Sequence, residues 1–271
     1  GGPRNGDGGA TKFSFEDRTA ALNISGSESV IVPWKEYTET SEHPQSVEVR
    51  LNTELRQDQT FISSSGWNVG VKYFLGNQAT LETQFLSGST LISESSEPFP
   101  FYNEEYTQVV IQHVGTGSFD IFAKESFSER IRNQVSMSIS APTSSWELDS
   151  KLVIGGNNFV GSVDEFRLWT SALTESRIDN HTLMPDAIDG NHTSSSTEDL
   201  LFRLDFEYPK DRSSSGDVYI KNVSIGEGYA ESFATASNFT TIEDYPYHYR
   251  TYERTVTANV PSSGFNVGNK F

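Results

Sequence analysis

The sequence predicts an all-β protein: an antiparallel β-sandwich of jelly-roll type, followed by a smaller β-rich unit. Three observations predict it. Short segments of alternating apolar and polar residues, punctuated by Gly, Ser, Asn and Pro, recur from Lys12 onward. The run Gln108-Val109-Val110-Ile111 is apolar on both faces, as a central strand under a second sheet would be. Only one segment carries a helix signature. The 271 residues suffice to bury a substantial core, and 12% aromatic residues are too many for a disordered chain.

Taken in order, residues 1–11 are glycine-rich and polar and read as a linker. The alternation is clearest at Val47/Val49/Leu51, Trp67/Val69/Val71/Tyr73, Leu81/Thr83/Phe85 and Val135/Met137/Ile139. Phe119/Ile121/Ala123 and Val163/Glu165/Arg167/Trp169 fit the same period. The single helix begins where Thr174 can cap, Glu175 occupies the first turn, and Leu173 and Ile178 form a hydrophobic staple; it should end near His181.

A jelly roll over 12–183 is therefore expected, with a polar connector at 184–199 and a second β-rich unit at 200–271. That unit holds strand-like segments at Leu201–Glu207, Val218–Val223 and Tyr245–Tyr249. Ser64–Lys72 recurs loosely as Ser262–Lys270, as tandem units or turn residues in a Ser/Gly-rich chain would produce. The chain is expected to be a fragment of a longer polypeptide.

Composition removes several function classes. With Lys+Arg 20 against Asp+Glu 37 the net charge is -17, which repels nucleic acid. Zero cysteine excludes a disulfide framework, a thiolate zinc site and a cysteine nucleophile. No apolar run reaches the roughly 18 residues that a membrane-spanning helix needs, so membrane insertion is not expected. No Gly-x-Ser-x-Gly elbow, His-Glu-x-x-His or phosphate loop occurs. The five histidines, His43, His113, His181, His192 and His248, have no metal-ligand spacing and are read as surface or satisfied interior residues.

The segment Gly161-Ser162-Val163-Asp164-Glu165-Phe166-Arg167-Leu168-Trp169, followed by Ala172-Leu173-Thr174-Glu175, resembles the closing strand and helix start of LamG-like (concanavalin A-like) jelly rolls. Ser29–Pro33, Tyr106–Ile111 and Gly155-Gly156 agree with it in order, so the likeness spans about residues 12–183. It implies a sandwich fold and, in many members, a calcium ion held by Asp and Asn side chains and loop carbonyls. Asp186, Asp189 and Asn191 have suitable spacing for Ca2+, though the same residues also spell a common turn.

Glycosidases on this architecture place two carboxylates on one strand face. Asp164-Glu165 are adjacent and so should face opposite ways, while Glu104-Glu105 fall in a loop and Glu243-Asp244 precede a Tyr/Pro cluster; all are read as solvated acids, and no catalytic residue is assigned. Aromatic rings that stack on sugars are the remaining candidates. Phe99, Phe101, Tyr102 and Asn103 form one cluster, read as a glycan site or as a loop packed down by its own rings. Tyr245, Tyr247, Tyr249 and Tyr252 form a second, expected to pack against a neighbouring domain.

Asn-x-Ser/Thr acceptors occur at Asn23, Asn180, Asn191, Asn222 and Asn238, a number that the abundance of Ser and Thr produces unaided. The lack of cysteine favours folding in a reducing cytoplasm. Asp199–Arg212 and Arg254–Pro261 resemble large LamG-containing structural proteins of T4-like marine phages. That likeness implies a non-catalytic module in a virion, made in the host cytoplasm, contacting other virion subunits or a host-surface glycan. Homo-oligomerisation is left open. The alternatives are an extracellular lectin-like LamG carbohydrate-binding module and, behind it, a concanavalin A-like glycoside hydrolase.

Overall fold

The computed structural model describes residues 13–17, 21–34, 43–148, 151–156, 158–191, 199–206, 211–212, 218–221, 233–237 and 250–254. In chain order the strands are β1 (Phe13–Asp17), β2 (Leu22–Gly26), β3 (Ser29–Pro33), β4 (Ser46–Thr53), β5 (Gln59–Ser63), β6 (Trp67–Leu75), β7 (Gln78–Ser87), β8 (Thr90–Phe99), β9 (Thr107–Gly115), β10 (Ser118–Phe127) and β11 (Arg130–Ser140). After a short helix α1 (Thr143–Trp146) come β12 (Lys151–Gly155), β13 (Phe159–Trp169) and helix α2 (Glu175–Leu183). The last are β14 (Leu200–Leu204), β15 (Asp211–Arg212), β16 (Val218–Lys221), β17 (Phe233–Ser237) and β18 (Arg250–Arg254).

Contacts divide the chain into two units. One holds the antiparallel pair β1 and β18, with Phe13 opposite Arg254. The other, Ala20–Pro246, is a sandwich of two antiparallel sheets. Its first sheet runs β11-β10-β9-β4-β13-β14, with β2 also on β13; the second runs β15-β16-β17-β3-β12-β5-β6-β7-β8. The predicted fold class is thus the observed one.

Alternation does the work on the inner faces. Val47, Val49 and Leu51 of β4, Val109 and Ile111 of β9, and Phe119, Ile121 and Ala123 of β10 meet Val69, Val71, Leu81 and Phe85 of the opposite sheet in one apolar core. Trp34, Trp67 and Trp146 close one end of it. The rings of Trp67 and Trp146 stack at 4.5 Å, while the indole N–H of Trp34 donates to the Trp146 carbonyl at 2.9 Å. Helix α1, which sequence reasoning missed, follows Pro142 and exists to seat that tryptophan.

Several expectations need correction. The strand β14, placed by sequence in a second unit starting at 200, pairs with β13, with Phe166 opposite Leu204. Strand β17 pairs with β3, with Thr235 opposite Ile31. Leu200–Leu204 is apolar enough to complete the existing sheet, so the sandwich extends past 183. The outer side of β9 is covered by a helix rather than a second sheet: Val110 clusters with Trp169, Leu173, Ile178 and Leu200. The β13 period also breaks, because the register against β4 shifts between Val163 and Glu165. Val163 faces the core, and Phe166 and Leu168 take over beyond the bulge.

Helix α2 starts where predicted. Thr174 is the N-cap, though its side chain does not close the cap, and Leu173 and Ile178 are buried together. The recurrence at Ser262–Lys270 and the cluster Tyr245, Tyr247 and Tyr249 lie outside the described residues, as does the side chain of Tyr252. Among the described residues no helix is long and apolar enough to cross a membrane.

Candidate functional site

The loop between β8 and β9 divides into an anchoring half and a presenting half. Phe99 and Phe101 are buried, with ring centroids 4.8 Å apart, and Phe61 packs 5.8 Å from Phe101. The Tyr102 ring is buried edge-on to Tyr73, and its hydroxyl donates to the Gln57 carbonyl at 2.8 Å. Burial pushes that hydroxyl's pKa up. The backbone is tied at both sides: the Tyr102 N–H donates to the Asn77 carbonyl at 3.0 Å, and Thr53 Oγ1 donates to the Phe101 carbonyl at 2.8 Å.

Past these anchors the chain turns outward. Glu104 takes a left-handed φ of 68°, and its carbonyl accepts from Asn52 Nδ2 at 3.0 Å. Asn103 uses both ends of its amide, donating to Glu125 Oε2 at 2.8 Å and accepting from the Glu105 N–H at 3.1 Å. The loop so delivers Asn103, Glu104, Glu105 and Tyr106 to the end of the sandwich.

Tyr106 lies over the outer face of the first sheet. Its hydroxyl is 3.1 Å from Ser162 Oγ, and the Arg50 guanidinium sits 5.3 Å from its ring centroid. Strand register sets the surrounding rows. Asn23 of β2 faces Ser162 of β13, which faces Asn52 of β4; in the next row Arg50 of β4 faces Gln108 of β9, which faces Lys124 of β10. Gly161 is required here, since a Cβ on it would lie 2.1 Å from the Asn52 carbonyl oxygen. The side-chain atoms on this face that are buried without a hydrogen-bond partner include Asn23 Oδ1, Arg50 Nη1, Gln108 Nε2 and Oε1, and Arg167 Nε and Nη1.

Deeper on the same face the charges are buried and paired. Arg50 Nε donates to Asp164 Oδ2 at 2.9 Å. Arg203 holds Glu165 through two of its nitrogens, and Arg167 Nη2 lies 3.2 Å from Glu165 Oε2. Glu48 accepts from Trp169 Nε1 at 2.8 Å and meets His181 Nδ1 at 3.0 Å. Burial works to raise the Glu48 carboxyl, but His181, Arg167 and Trp169 together hold it below its ordinary value. At Asp164 and Glu165 burial outweighs the arginines, and both are pushed up.

A strap from Met184 to Asn191 completes the cover. Arg167 Nη2 donates to the Pro185 carbonyl, His181 Nε2 is 3.0 Å from the Asp189 carbonyl oxygen, and Asn191 Nδ2 donates to the Ala172 carbonyl at 2.7 Å. Asn191 Oδ1 accepts from the N–H of the N-cap residue Thr174 at 3.0 Å, tying the strap to the start of α2.

The residues singled out by sequence fall in unexpected roles. Phe99, Phe101 and Tyr102 offer no exposed ring face, because the loop needs them inside; Asn103 alone of that set reaches the rim. Asp186, Asp189 and Asn191 do not converge as a calcium site. The Asn191 side chain is spent on backbone, Asp189 Oδ2 lies 3.8 Å from Arg177, and Asp186 Oδ1 lies 3.8 Å from Arg203. Among the described residues no group of three or more acids and histidines could hold a metal. Asp164 and Glu165, read as solvated acids, are buried and ion-paired. His181 is a satisfied interior histidine. Sequence reasoning missed Arg50, Tyr106 and Gln108, although the polar alternates in the Val47/Val49/Leu51 strand were visible.

No family model matches the chain, and no curated protein matches it. Solved structures do. A Bacteroides ovatus protein described as a candidate carbohydrate-binding protein aligns at 13% identity with a TM-score of 0.49, over 89% of this chain and 61% of that one. The binding domain of Paraclostridial Mosquitocidal Protein 1 aligns at 10% identity and a TM-score of 0.36, over 89% of this chain and 70% of that one. The CBM2 module of an evolved Dit protein from Lactobacillus casei BL23 phage J-1 aligns at 9% identity and a TM-score of 0.28, over 56% and 71%. The chain thus spans less than two thirds of the first of these structures.

Proposed function

We propose that this chain is a non-catalytic interaction module of a phage virion protein, displayed on a tail, baseplate or capsid surface, where it binds a host-surface glycan. The observation that carries the binding reading is the loop from Phe99 to Tyr106. Its buried rings hold Tyr106 over a face lined by Asn23, Asn52, Arg50 and Gln108, the amides, cation and aromatic ring with which proteins hold sugars. The non-catalytic reading is supported by Asp164 and Glu165: this adjacent acid pair of β13 is committed to Arg50, Arg167 and Arg203. The virion reading rests on the likeness of Asp199–Arg212 and Arg254–Pro261 to phage structural proteins.

A glycan array and a panel of bacterial cell-wall polysaccharides, probed with the full chain with and without calcium, test the reading. Binding that Tyr106→Ala abolishes is the expected result. Absence of binding to every glycan under both conditions overturns it and leaves an assembly role within the particle.

A further inference from the structure

We infer that His181 is a doubly protonated imidazolium and serves as a pH-operated latch on the strap from Met184 to Asn191. Its ring is 0% exposed. Both ring nitrogens face acceptors: Nδ1 lies 3.0 Å from each oxygen of the Glu48 carboxylate, and Nε2 lies 3.0 Å from the Asp189 carbonyl oxygen. A neutral imidazole has one N–H and one lone pair, so it can satisfy only one of these sides; donating to both requires the cation. The indole of Trp169 is stacked on the ring, with centroids 5.2 Å apart and planes at 14°, a π face that suits a cation. The same indole donates to Glu48 Oε2 at 2.8 Å, which keeps the carboxylate in place against the histidine.

The surrounding charges decide which proton leaves first. Strand β4 brings Glu48, and β13 brings Arg167, whose Nη1 lies 3.7 Å from Glu48 Oε2. The strap brings Asp189, with its carboxylate 3.8 Å from Arg177 of α2, and Asp186, 3.8 Å from Arg203 of β14. Asp179 of α2 is committed to Lys124 of β10. The Glu48 carboxylate therefore holds the proton on Nδ1, while Nε2 faces only a neutral carbonyl. Raising the pH removes the Nε2 proton, and the contact with Asp189 changes from a hydrogen bond to two opposed lone pairs. Closure of the strap is favoured while the ring is charged and weakens as pH rises through its titration. The bond from Arg167 to the Pro185 carbonyl ties one end of the strap and the bond from Asn191 to the Ala172 carbonyl ties the other, so the stretch around Asp189 is what His181 controls.

The test is NMR of the isotope-labelled full chain from about pH 5 to about pH 9, the range in which an imidazole changes charge. One readout is the protonation of the two His181 ring nitrogens. The other is hydrogen-exchange protection, corrected for the intrinsic rate, of the Ala187 N–H, which donates to the Met184 carbonyl, and of the Asn191 N–H, which donates to Asp199 Oδ2. At the acid end both ring nitrogens should carry protons. Across the ring's titration protection should fall by up to about tenfold per pH unit, the limit for one proton released on opening. His181→Gln should lose that step, because an amide does not titrate, and Glu48→Gln, which removes the anion, should move it to lower pH. A ring with a single N–H at every pH, or with two at every pH, overturns the inference. Protection that stays level through the titration overturns it too, as does a step that persists in His181→Gln. The wild-type signals decide the matter even where neither variant folds.

Discussion

The two faces of the first sheet are built by the same strands and obey opposite chemistry. The inner face is apolar, Val47, Val49 and Ile121 packing against the other sheet. The outer face carries Glu48, Arg50, Lys124, Glu165 and Arg167, all of them buried. An apolar face is stabilised by area removed from water and tolerates errors of detail. A buried charged face depends on each partner being present, since an unpaired ion in the interior costs several kcal/mol. The comparison teaches that this sheet has a core on one side and a fixed polar layer, clamped by α2 and the strap, on the other.

The sharpest way to break the comparison is Glu48→Ala, which leaves Arg167 and His181 without their shared anion. It should destabilise by about 3–5 kcal/mol in denaturant unfolding. On the inner face Ile121→Ala should cost about 2–5 kcal/mol by the same measurement, through cavity formation. Restoring apolarity separates the two: Glu48→Leu, Arg167→Met and His181→Leu together should recover most of the stability that Glu48→Ala loses.

pH sharpens the comparison further. The Glu48 carboxyl lies below its ordinary value of 4.5, so its contribution is present above that pH and is lost as pH falls through the folded value. The gap in unfolding midpoint between wild type and Glu48→Gln should therefore narrow below pH 4.5. Asp164 and Glu165 are raised, so each favours the fold more when protonated, and stability falls as pH rises from their ordinary values through the raised ones. The smallest effect is at the edge: Glu175→Ala removes one exposed partner of Lys124, and should cost about 0.2–1 kcal/mol.

How much of this was legible follows from the same contrast. Apolar alternation in β4, β7 and β10 has one physical use, so the sandwich could be read. Polar alternates in those strands have two, solvation or burial under a further layer, and alternation alone chooses solvation. The cover that decides between them comes from α2 and the strap, more than 120 residues from Glu48 in the chain. The bulge between Val163 and Glu165 was hidden for a related reason, since one extra residue leaves no mark in a run that reads apolar and polar throughout. At the candidate site the loop was found but its halves were exchanged. Rings in a Pro-containing loop can stack on a sugar or anchor the loop, and their burial against Phe61 settles which.

The most direct test of the account compares three proteins, wild type, Tyr106→Ala and Phe101→Leu, for binding to the glycan that the wild type selects, each with its thermal midpoint. Tyr106→Ala should lose binding at an unchanged midpoint. Phe101→Leu should lower the midpoint and keep binding below it. The reverse pattern, binding lost with Phe101 and kept without Tyr106, would contradict the division of the loop into anchor and presenting surface.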